Sequence, residues 1–319
     1  MKYKIIVITG PTASGKTKLA LKLAKKITPA SIISIDSRQA YQNLPIITGQ
    51  DIPKNFLKKN SAKLKIPYYT NGKTRLWAVN TIPLDQDINI ADFTDLVFQI
   101  IRSEATTRNI ILVGGSGLYL KAITTPIPTI NIPPNPKLRT TLNNKTIRQL
   151  QKTLKDLSPK KFNQLNNSDK NNPHRLIRAI EIIKTKKPTK PWYLTLQKQS
   201  KFLILGIKNS KSVSATSIKK RVTKRINQGA VKELQKILKT KKLSPTVTKI
   251  LGTKQIIDYL NKKITKTELI DLWAQAEYSY HKRQLTWFAR QSKIIWYDKD
   301  SKDKLTDQAI LWLKQTNSP

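Results

Sequence analysis

A glycine loop between two apolar segments constrains the fold of this chain more than any other feature of the sequence. Its residues match the pattern G-x-x-x-x-G-K-[ST] and are Gly10, Pro11, Thr12, Ala13, Ser14, Gly15, Lys16 and Thr17. The apolar run before the loop, residues 4–9, predicts a buried strand, and residues 16–26 carry apolar side chains at helical spacing. Strand, loop and helix in this order predict an α/β fold of the P-loop type.

The chemistry of such a loop follows from its backbone. Glycines let the chain curl so that successive N–H groups converge on phosphate oxygens, next to the positive end of the following helix. Lys16 then places a mobile charge on the phosphates, and the Thr17 hydroxyl is the expected ligand of Mg²⁺. The alternative is a glycine-rich turn that binds nothing, which the flanking strand and helix disfavour.

Further apolar runs extend the predicted sheet. They span residues 31–35, 109–113, 202–207 and 293–297, and helical patterns separate them. Strands that alternate with helices predict a doubly wound parallel sheet. Between residues 126 and 191 the pattern changes to Pro-rich turns and helices without clear strands. We therefore predict a P-loop core in residues 1–125, a helical insertion in residues 126–200, and a mostly helical second part of the core with closing strands in residues 201–319.

Charge dominates the composition. The 319 residues include 60 Lys and Arg against 19 Asp and Glu, a formal net charge of +41. Such an excess attracts polyanions and predicts nucleic acid as a partner, although Lys, Asn and Ile recur along the whole chain and part of the excess fits compositional drift. Cysteine is absent, which excludes disulfides and thiolate chemistry, and two histidines favour no metal site. No apolar run reaches membrane-spanning length, so we expect a cytoplasmic protein without membrane contact.

An aspartate closes the second predicted strand. P-loop hydrolases usually carry an acid at the end of a neighbouring strand, but residues 109–113 run into Gly-Gly-Ser-Gly instead. Asp36 follows residues 31–35, and strand ends in parallel sheets converge on the ligand crevice. We therefore expect Asp36 to face the phosphate site; the alternative is an N-cap for a following helix.

Five separated segments resemble the tRNA dimethylallyltransferase (tRNA isopentenyltransferase) family. They are residues 10–17 (GPTASGKT), 33–41 (ISIDSRQAY), 114–119 (GGSGLY), 172–181 (NPHRLIRAIE) and 283–290 (RQLTWFAR). Together they span most of the chain in the family's order. A P-loop alone is generic, whereas this combination is specific.

The resemblance implies a reaction. In this family the P-loop holds the pyrophosphate of dimethylallyl pyrophosphate with the help of Mg²⁺, and the acceptor is N6 of the adenosine 3′ of the anticodon. Asp36 matches the family aspartate that takes the amine proton, and Arg221 is similar to an arginine that helps to hold the pyrophosphate. Positions that match tRNA-contacting residues, besides Asp36, are Ser37, Arg38, Gln39, Ser116, Arg139, His174, Arg175, Leu176, Ile177, Arg178 and Arg283.

The sequence departs from the family pattern in two places. The family's G-T-A-K-P segment appears as residues 47–51 (ITGQD), in which only Thr48 survives, and the segment at residues 68–82 replaces a His-His-Leu motif. Ser116 stands where the family commonly has Thr. Trp287 and Phe288 lie on one predicted helix that could stack on an extruded base, but we expect at least one of them in the core.

Two other functions compete with the prenyltransferase. A P-loop small-molecule kinase would use the same loop for ATP, and a non-catalytic RNA-binding protein would use only the charge. A kinase gives no reason for so large a basic excess, and an RNA-binding protein gives none for Asp36. We expect a monomer.

Overall fold

One sheet forms the centre of the protein. The computed structural model describes residues 3–12, 14–185, 189–208 and 214–315, and within these ranges eight strands form the sheet in the order β3-β4-β5-β2-β6-β1-β7-β8. The strands are β1 Tyr3–Thr9, β2 Ala30–Ser34, β3 Leu57–Asn60, β4 Pro67–Thr70, β5 Thr74–Trp77, β6 Asn109–Gly114, β7 Ser200–Lys208 and β8 Ile295–Asp298. The predicted α/β fold around a P-loop-type sheet is confirmed.

The central strands are parallel, and their register places the ends of three strands together. Thr9 lies opposite Gly114 on β6 and Gly206 on β7, and Ser34 of β2 lies opposite Val113. Residues 5–8 of β1 are fully buried, as expected for a strand covered on both faces. The loops that follow β1, β2 and β6 therefore lie together at the carboxyl ends of the parallel strands.

The far edge of the sheet is antiparallel, which the sequence reading did not predict. Strands β3, β4 and β5 form two consecutive antiparallel pairs, and β5 joins β2 in parallel. All four residues of β3 are exposed, so this strand has no apolar alternation to reveal it. The five predicted strands differ from their predicted limits by one or two residues; β8, for example, begins at Ile295 rather than at residue 293.

Helices connect the strands and cover both faces. The first four are α1 Lys16–Lys26, α2 Pro45–Thr48, α3 Ile90–Glu104 and α4 Gly117–Thr124. The next five are α5 Pro136–Asn143, α6 Ile147–Leu157, α7 Pro159–Asn163, α8 Asn167–Lys170 and α9 Pro173–Lys184. The remainder are α10 Leu194–Gln199, α11 Ala215–Asn227, α12 Ala230–Thr240, α13 Pro245–Thr248, α14 Thr253–Leu260, α15 Lys266–Phe288 and α16 Lys302–Lys314. Among the described helices, none combines the length and apolar character needed to cross a bilayer.

The chain divides into two compact units. One comprises Met1–Thr125 and Thr195–Pro319, and the other comprises Pro126–Leu194. The smaller unit is helical and has its own apolar core around Leu150, Leu154 and Leu176. Its Pro-rich turns are helix starts, because α5, α7 and α9 each carry proline in the first turn behind an Asn or Ser cap.

Candidate active site

The P-loop has the curled backbone that the motif predicts. Gly10 has φ +144°, and a Cβ there would lie 2.6 Å from the Ile207 carbonyl oxygen, so only glycine fits against β7. Gly15 caps helix α1 in the left-handed conformation. Ala13 lies outside the described residues. The loop therefore delivers the N-terminus of α1 to the sheet edge where β2 and β6 also end.

A cavity of about 850 Å³ opens beside this loop. Its lining brings together Thr12, Gly15, Lys16, Thr17, Asp36, Gln39 and Arg221 among the residues that the sequence singled out. The Lys16 ammonium donates to the Pro11 carbonyl oxygen at 2.7 Å. Burial lowers the pKa of Lys16 to about 8; the Asp36 carboxylate offsets part of this shift and the Arg221 guanidinium adds to it. An anion in this cavity would meet a concentrated positive field.

Asp36 stands at the start of a tight turn rather than of a helix. Its Oδ1 accepts the Arg38 backbone N–H at 3.1 Å, and its carbonyl accepts the Gln39 N–H at 3.0 Å. Upstream, the Ile35 N–H donates to the Val113 carbonyl oxygen of β6 at 2.8 Å. The carboxylate thus stabilises its own turn and lines the cavity at the same time, so the capping and ligand-facing interpretations are compatible.

A buried glutamate on α15 orients two arginines of α11. Glu277 accepts from Arg225 at 2.9 Å and pairs with Arg221 through its second oxygen. Burial lowers the pKa of Arg221, and Glu277 offsets that effect. Sequence reasoning named Arg221 and missed Glu277, because a lone acidic residue in a helical pattern gives no sign of its distant partner.

Gln284 joins the P-loop to the segment after β6. Its Oε1 accepts from the Thr12 backbone N–H at 3.0 Å and from the Thr12 hydroxyl at 2.8 Å, while its Nε2 donates to the Gly115 carbonyl at 2.8 Å. Its only signal in the sequence was its place in the segment RQLTWFAR, which resembles the family. This one side chain therefore ties two segments that line the cavity to each other.

Other predicted residues surround the cavity or lie on the surface. The Arg38 guanidinium stacks over the Tyr280 ring at 4.1 Å, Ser37 hydrogen-bonds Tyr119, and Ser116 is half-buried at the start of α4. Arg283 is exposed.

The aromatic pair Trp287 and Phe288 lies at the end of α15. Phe288 is 3% exposed, so the expectation that at least one residue of this pair is in the core is confirmed. Trp287 packs against Gly117, where a Cβ would come within 2.2 Å of its ring.

The predicted residues of the helical unit form a charged cluster of their own. The buried carboxylate of Glu181 accepts from Arg139 at 2.6 and 2.8 Å and from Arg178 at 3.3 Å. Arg178 also donates to the Thr129 and Ile132 carbonyl oxygens. Arg139 and Arg178 therefore stabilise this unit, whatever else they bind.

The central residues of the HRLIR segment face in opposite directions. His174 and Arg175 are exposed, and Arg175 pairs with Asp169. Leu176 and Ile177 are 0% and 4% exposed and belong to the core of the unit. We correct their interpretation accordingly: their side chains pack inward and present no surface to an RNA.

Comparison with known proteins identifies the family. The family model described as IPP transferase matches residues 39–291. The chain belongs to the IPP transferase family. The predicted resemblance is confirmed, and with it the assignment to the prenyltransferase enzymes.

Relatives within this family match nearly the whole chain. The tRNA dimethylallyltransferase of Carboxydothermus hydrogenoformans is 31% identical and covers 97% of both chains. That of Halothermothrix orenii is 33% identical over 94% of this chain and 88% of the relative.

Solved structures agree with the fold. The tRNA isopentenylpyrophosphate transferase of Bacillus halodurans has a TM-score of 0.66 at 26% identity and covers 98% of this chain and 97% of its own. A eukaryotic dimethylallyltransferase acting on tRNA has a TM-score of 0.71 at 19% identity and covers 99% and 81%, which shows the shared fold.

Proposed function

We propose that this protein transfers a dimethylallyl group from dimethylallyl pyrophosphate to N6 of the adenosine 3′ of the tRNA anticodon, at tRNA position 37. Membership of the IPP transferase family, and relatives named tRNA dimethylallyltransferases, support dimethylallyl transfer to tRNA. The observation that carries the finer proposal is that the P-loop, Lys16, Arg221 and Asp36 line one cavity. Pyrophosphate is the second product.

The leaving group binds where positive charge is concentrated. As the bond between allylic C1 and the bridging oxygen breaks, negative charge builds on the pyrophosphate, and C1 becomes cationic. Backbone N–H groups of the P-loop, Lys16 and Arg221 stabilise this developing charge. Such preorganised charge is usually the largest single contribution to catalysis, and it suits an amine that is a weak nucleophile.

The acceptor amine is deprotonated by Asp36 in this proposal. The exocyclic nitrogen of adenine shares its lone pair with the ring and gains nucleophilicity only as its proton leaves. The C1–N6 bond forms while the N6 proton moves to the Asp36 carboxylate, which contributes roughly a hundredfold or more. No covalent enzyme intermediate is required, which fits a chain without cysteine.

Mg²⁺ fits the oxygen donors beside the P-loop. Thr17 and Asp51 line the cavity, and hydroxyl and carboxylate oxygens are the ligands that Mg²⁺ prefers. Bound at Thr17, Mg²⁺ would neutralise charge on the departing pyrophosphate.

The RNA is held mainly by charge and shape. The net charge of +41 favours phosphate contacts. We assign tRNA contacts to Ser37, Arg38, Gln39, Ser116, Arg139, His174, Arg175, Arg178 and Arg283. The acceptor base must leave its stack in the anticodon loop to reach Asp36. A monomer located in the cytoplasm, with the helical insertion gripping the anticodon stem, completes the proposal.

A direct assay tests the proposal against its rivals. The purified protein is incubated with labelled dimethylallyl pyrophosphate and tRNA, and separately with ATP and small phosphate acceptors. We expect label in a prenylated adenosine of the tRNA, identified by nucleoside mass spectrometry, and no phosphorylated product. Tight tRNA binding without prenylation, or transfer of phosphate from ATP, would contradict it.

A further inference from the structure

Two glutamine side chains cross between the turn that carries Asp36 and the short helix α2. Gln39 Nε2 donates to the Gly49 carbonyl oxygen at 3.0 Å. In return, Gln50 Nε2 donates to the Gln39 carbonyl oxygen at 2.9 Å and to the Tyr41 carbonyl oxygen at 2.7 Å. Gln50 is 9% exposed and lines the cavity. The turn and the helix are therefore tied by three hydrogen bonds beside the site.

We propose that Gln50 is a positioning residue for Asp36: its amide holds the far end of the turn so that the carboxylate faces the incoming amine. The inference rests on the proposed role of Asp36. The sheet anchors the near end of the turn, where the Ile35 N–H binds β6. Gln39 lies at the far end of the turn. Its backbone N–H donates to the Asp36 carbonyl oxygen, and its own carbonyl oxygen accepts from Gln50 Nε2.

Gln50 acts on the turn only as a donor. Both partners of its Nε2 are carbonyl oxygens, which accept and never donate, so the orientation of the amide is fixed. Its Oε1 is buried and has no hydrogen-bond partner among the described residues. The Gln50 side chain therefore stabilises the turn only through the hydrogen bonds of its two N–H groups.

Helix α2, the other side of this link, is itself held firmly. Both carboxylate oxygens of Glu233 on α12 accept backbone N–H groups at the start of α2, from Ile46 at 2.9 Å and from Ile47 at 3.0 Å. Gln50 follows directly after this anchored segment. Backbone N–H groups of residues 80–82 also bind the carbonyl oxygens of Gln39 and Ala40. Gln50 adds the side-chain link that ties this end of the turn to the fixed segment at α2.

Donor chemistry selects the variants that test the proposal. Lysine offers three donors and no acceptor, glutamate offers only acceptors of almost the same shape as glutamine, and leucine offers neither. Gln50→Lys should therefore keep the turn in place, whereas Gln50→Glu and Gln50→Leu should release it. Gln197→Leu is the matched control, because Gln197 is also buried and its Nε2 also donates to two carbonyl oxygens, those of Ala122 at 2.8 Å and Ile123 at 3.0 Å, on another segment.

The experiment combines single-turnover rates with tRNA affinity and backbone hydrogen exchange. In Gln50→Leu and Gln50→Glu we expect prenyl transfer to slow by at least roughly tenfold, because small misplacements of a reacting group are costly. Affinity for tRNA should stay within about threefold, because phosphate contacts dominate it. Exchange at residues 36–41 should accelerate in these two variants, and Gln50→Lys and Gln197→Leu should match the wild type in rate and exchange.

Placing Gln50→Leu in an Asp36→Asn background separates the positioning role from a general structural one. A residue that acts through Asp36 causes no further loss once the carboxylate is gone. The proposal is overturned by unchanged exchange and rate in Gln50→Leu and Gln50→Glu, by additive losses in the double variant, or by a Gln50→Lys protein as slow as Gln50→Leu. A wild-type protein that does not prenylate tRNA, or an Asp36→Asn protein at full rate, defeats the proposed function instead, while hydrogen exchange still tests the link.

Discussion

The two walls of the cavity differ in what they offer a ligand. The wall built from the P-loop and α11 presents backbone N–H groups and the cations of Lys16 and Arg221. The opposite wall, residues 36–51, presents the Asp36 and Asp51 carboxylates and neutral amides. Burial raises the pKa of Asp51, while Arg225 and Lys16 offset that effect. One wall suits a departing anion and the other suits a group that gives up a proton.

Each wall is held by a different kind of structure. In the P-loop wall, backbone geometry at the end of β1 fixes the loop, hydrogen bonds of Gln284 support it, and Glu277 orients Arg221 of α11. The acceptor wall is assembled from turns that depend on side-chain hydrogen bonds of Gln39, Gln50 and Glu233. The loop that binds phosphate thus depends mainly on its own backbone, and the wall that positions the acceptor depends more on side-chain hydrogen bonds between separate segments.

The largest expected effect is that added salt weakens tRNA binding far more than it weakens pyrophosphate binding. Affinity for tRNA should fall by roughly a thousandfold or more between low and moderate salt if about six phosphates are neutralised, because counterions are released on binding. Affinity for pyrophosphate should change far less, since one small anion displaces fewer counterions than an RNA does. Titrations of both ligands at several salt concentrations check this, and a flat response for tRNA would mean that the +41 charge is compositional drift.

Loss of Lys16 should impair turnover and pyrophosphate binding without affecting tRNA binding. Lys16→Ala should lower turnover by at least roughly a hundredfold, because the departing charge loses its mobile cation. Pyrophosphate affinity should fall as well, while tRNA affinity stays nearly unchanged. Steady-state kinetics and binding assays measure these effects. Lys25→Ala, an exposed position on the same helix, is the control, and equal losses in both variants would refute the assignment.

Loss of the Asp36 charge should damage the acceptor wall alone. Asp36→Asn retains an oxygen that can accept the Arg38 N–H, so the turn is kept while the base is removed. We expect turnover to fall by at least roughly a hundredfold with both ligands still bound, because proton transfer loses its acceptor. Rapid-quench kinetics separate binding from the chemical step. A variant at the wild-type rate would assign the proton to another group.

The charge of Lys16 should make the affinity for pyrophosphate depend on pH. Its pKa of about 8 means that the free site loses a positive charge above that pH. Bound pyrophosphate favours the protonated amine, so affinity should decline by up to about tenfold per pH unit as pH rises through this value.

Asp36→Asn should move that decline to lower pH, because the Asp36 carboxylate raises the pKa of Lys16. Calorimetric titrations with pyrophosphate across this pH range measure both effects, with Lys16→Ala as the control that lacks the decline. An identical profile in wild type and Lys16→Ala would show that another group is responsible.

The P-loop wall could be predicted from the sequence, and the acceptor wall only in part. A strand, a glycine motif and a helix are local patterns, so the position of Lys16 followed from eight consecutive residues. The approach of Asp36 followed from the rule that parallel strands end at one edge of a sheet. Glu277, Gln284 and Glu233 were missed because their partners lie 52 to 272 residues away in sequence, and no periodicity links them.

The same limit applies at the edge of the sheet and in the helical unit. Strand β3 consists of four exposed residues, three of them polar, and owes its conformation to pairing with β4. Leu176 and Ile177 were grouped with tRNA-facing neighbours because a sequence motif does not show which face of a helix is buried. The helical spacing of apolar residues around them was the signal that could have placed them in the core.

A crystal structure with an unreactive donor analogue and an anticodon stem-loop tests the central claim most directly. We expect the diphosphate oxygens to accept N–H groups of the P-loop and the Lys16 ammonium, with the adenine N6 within about 3 Å of an Asp36 oxygen. A diphosphate bound outside the glycine loop, or an adenine amine beyond the reach of Asp36, would contradict the account.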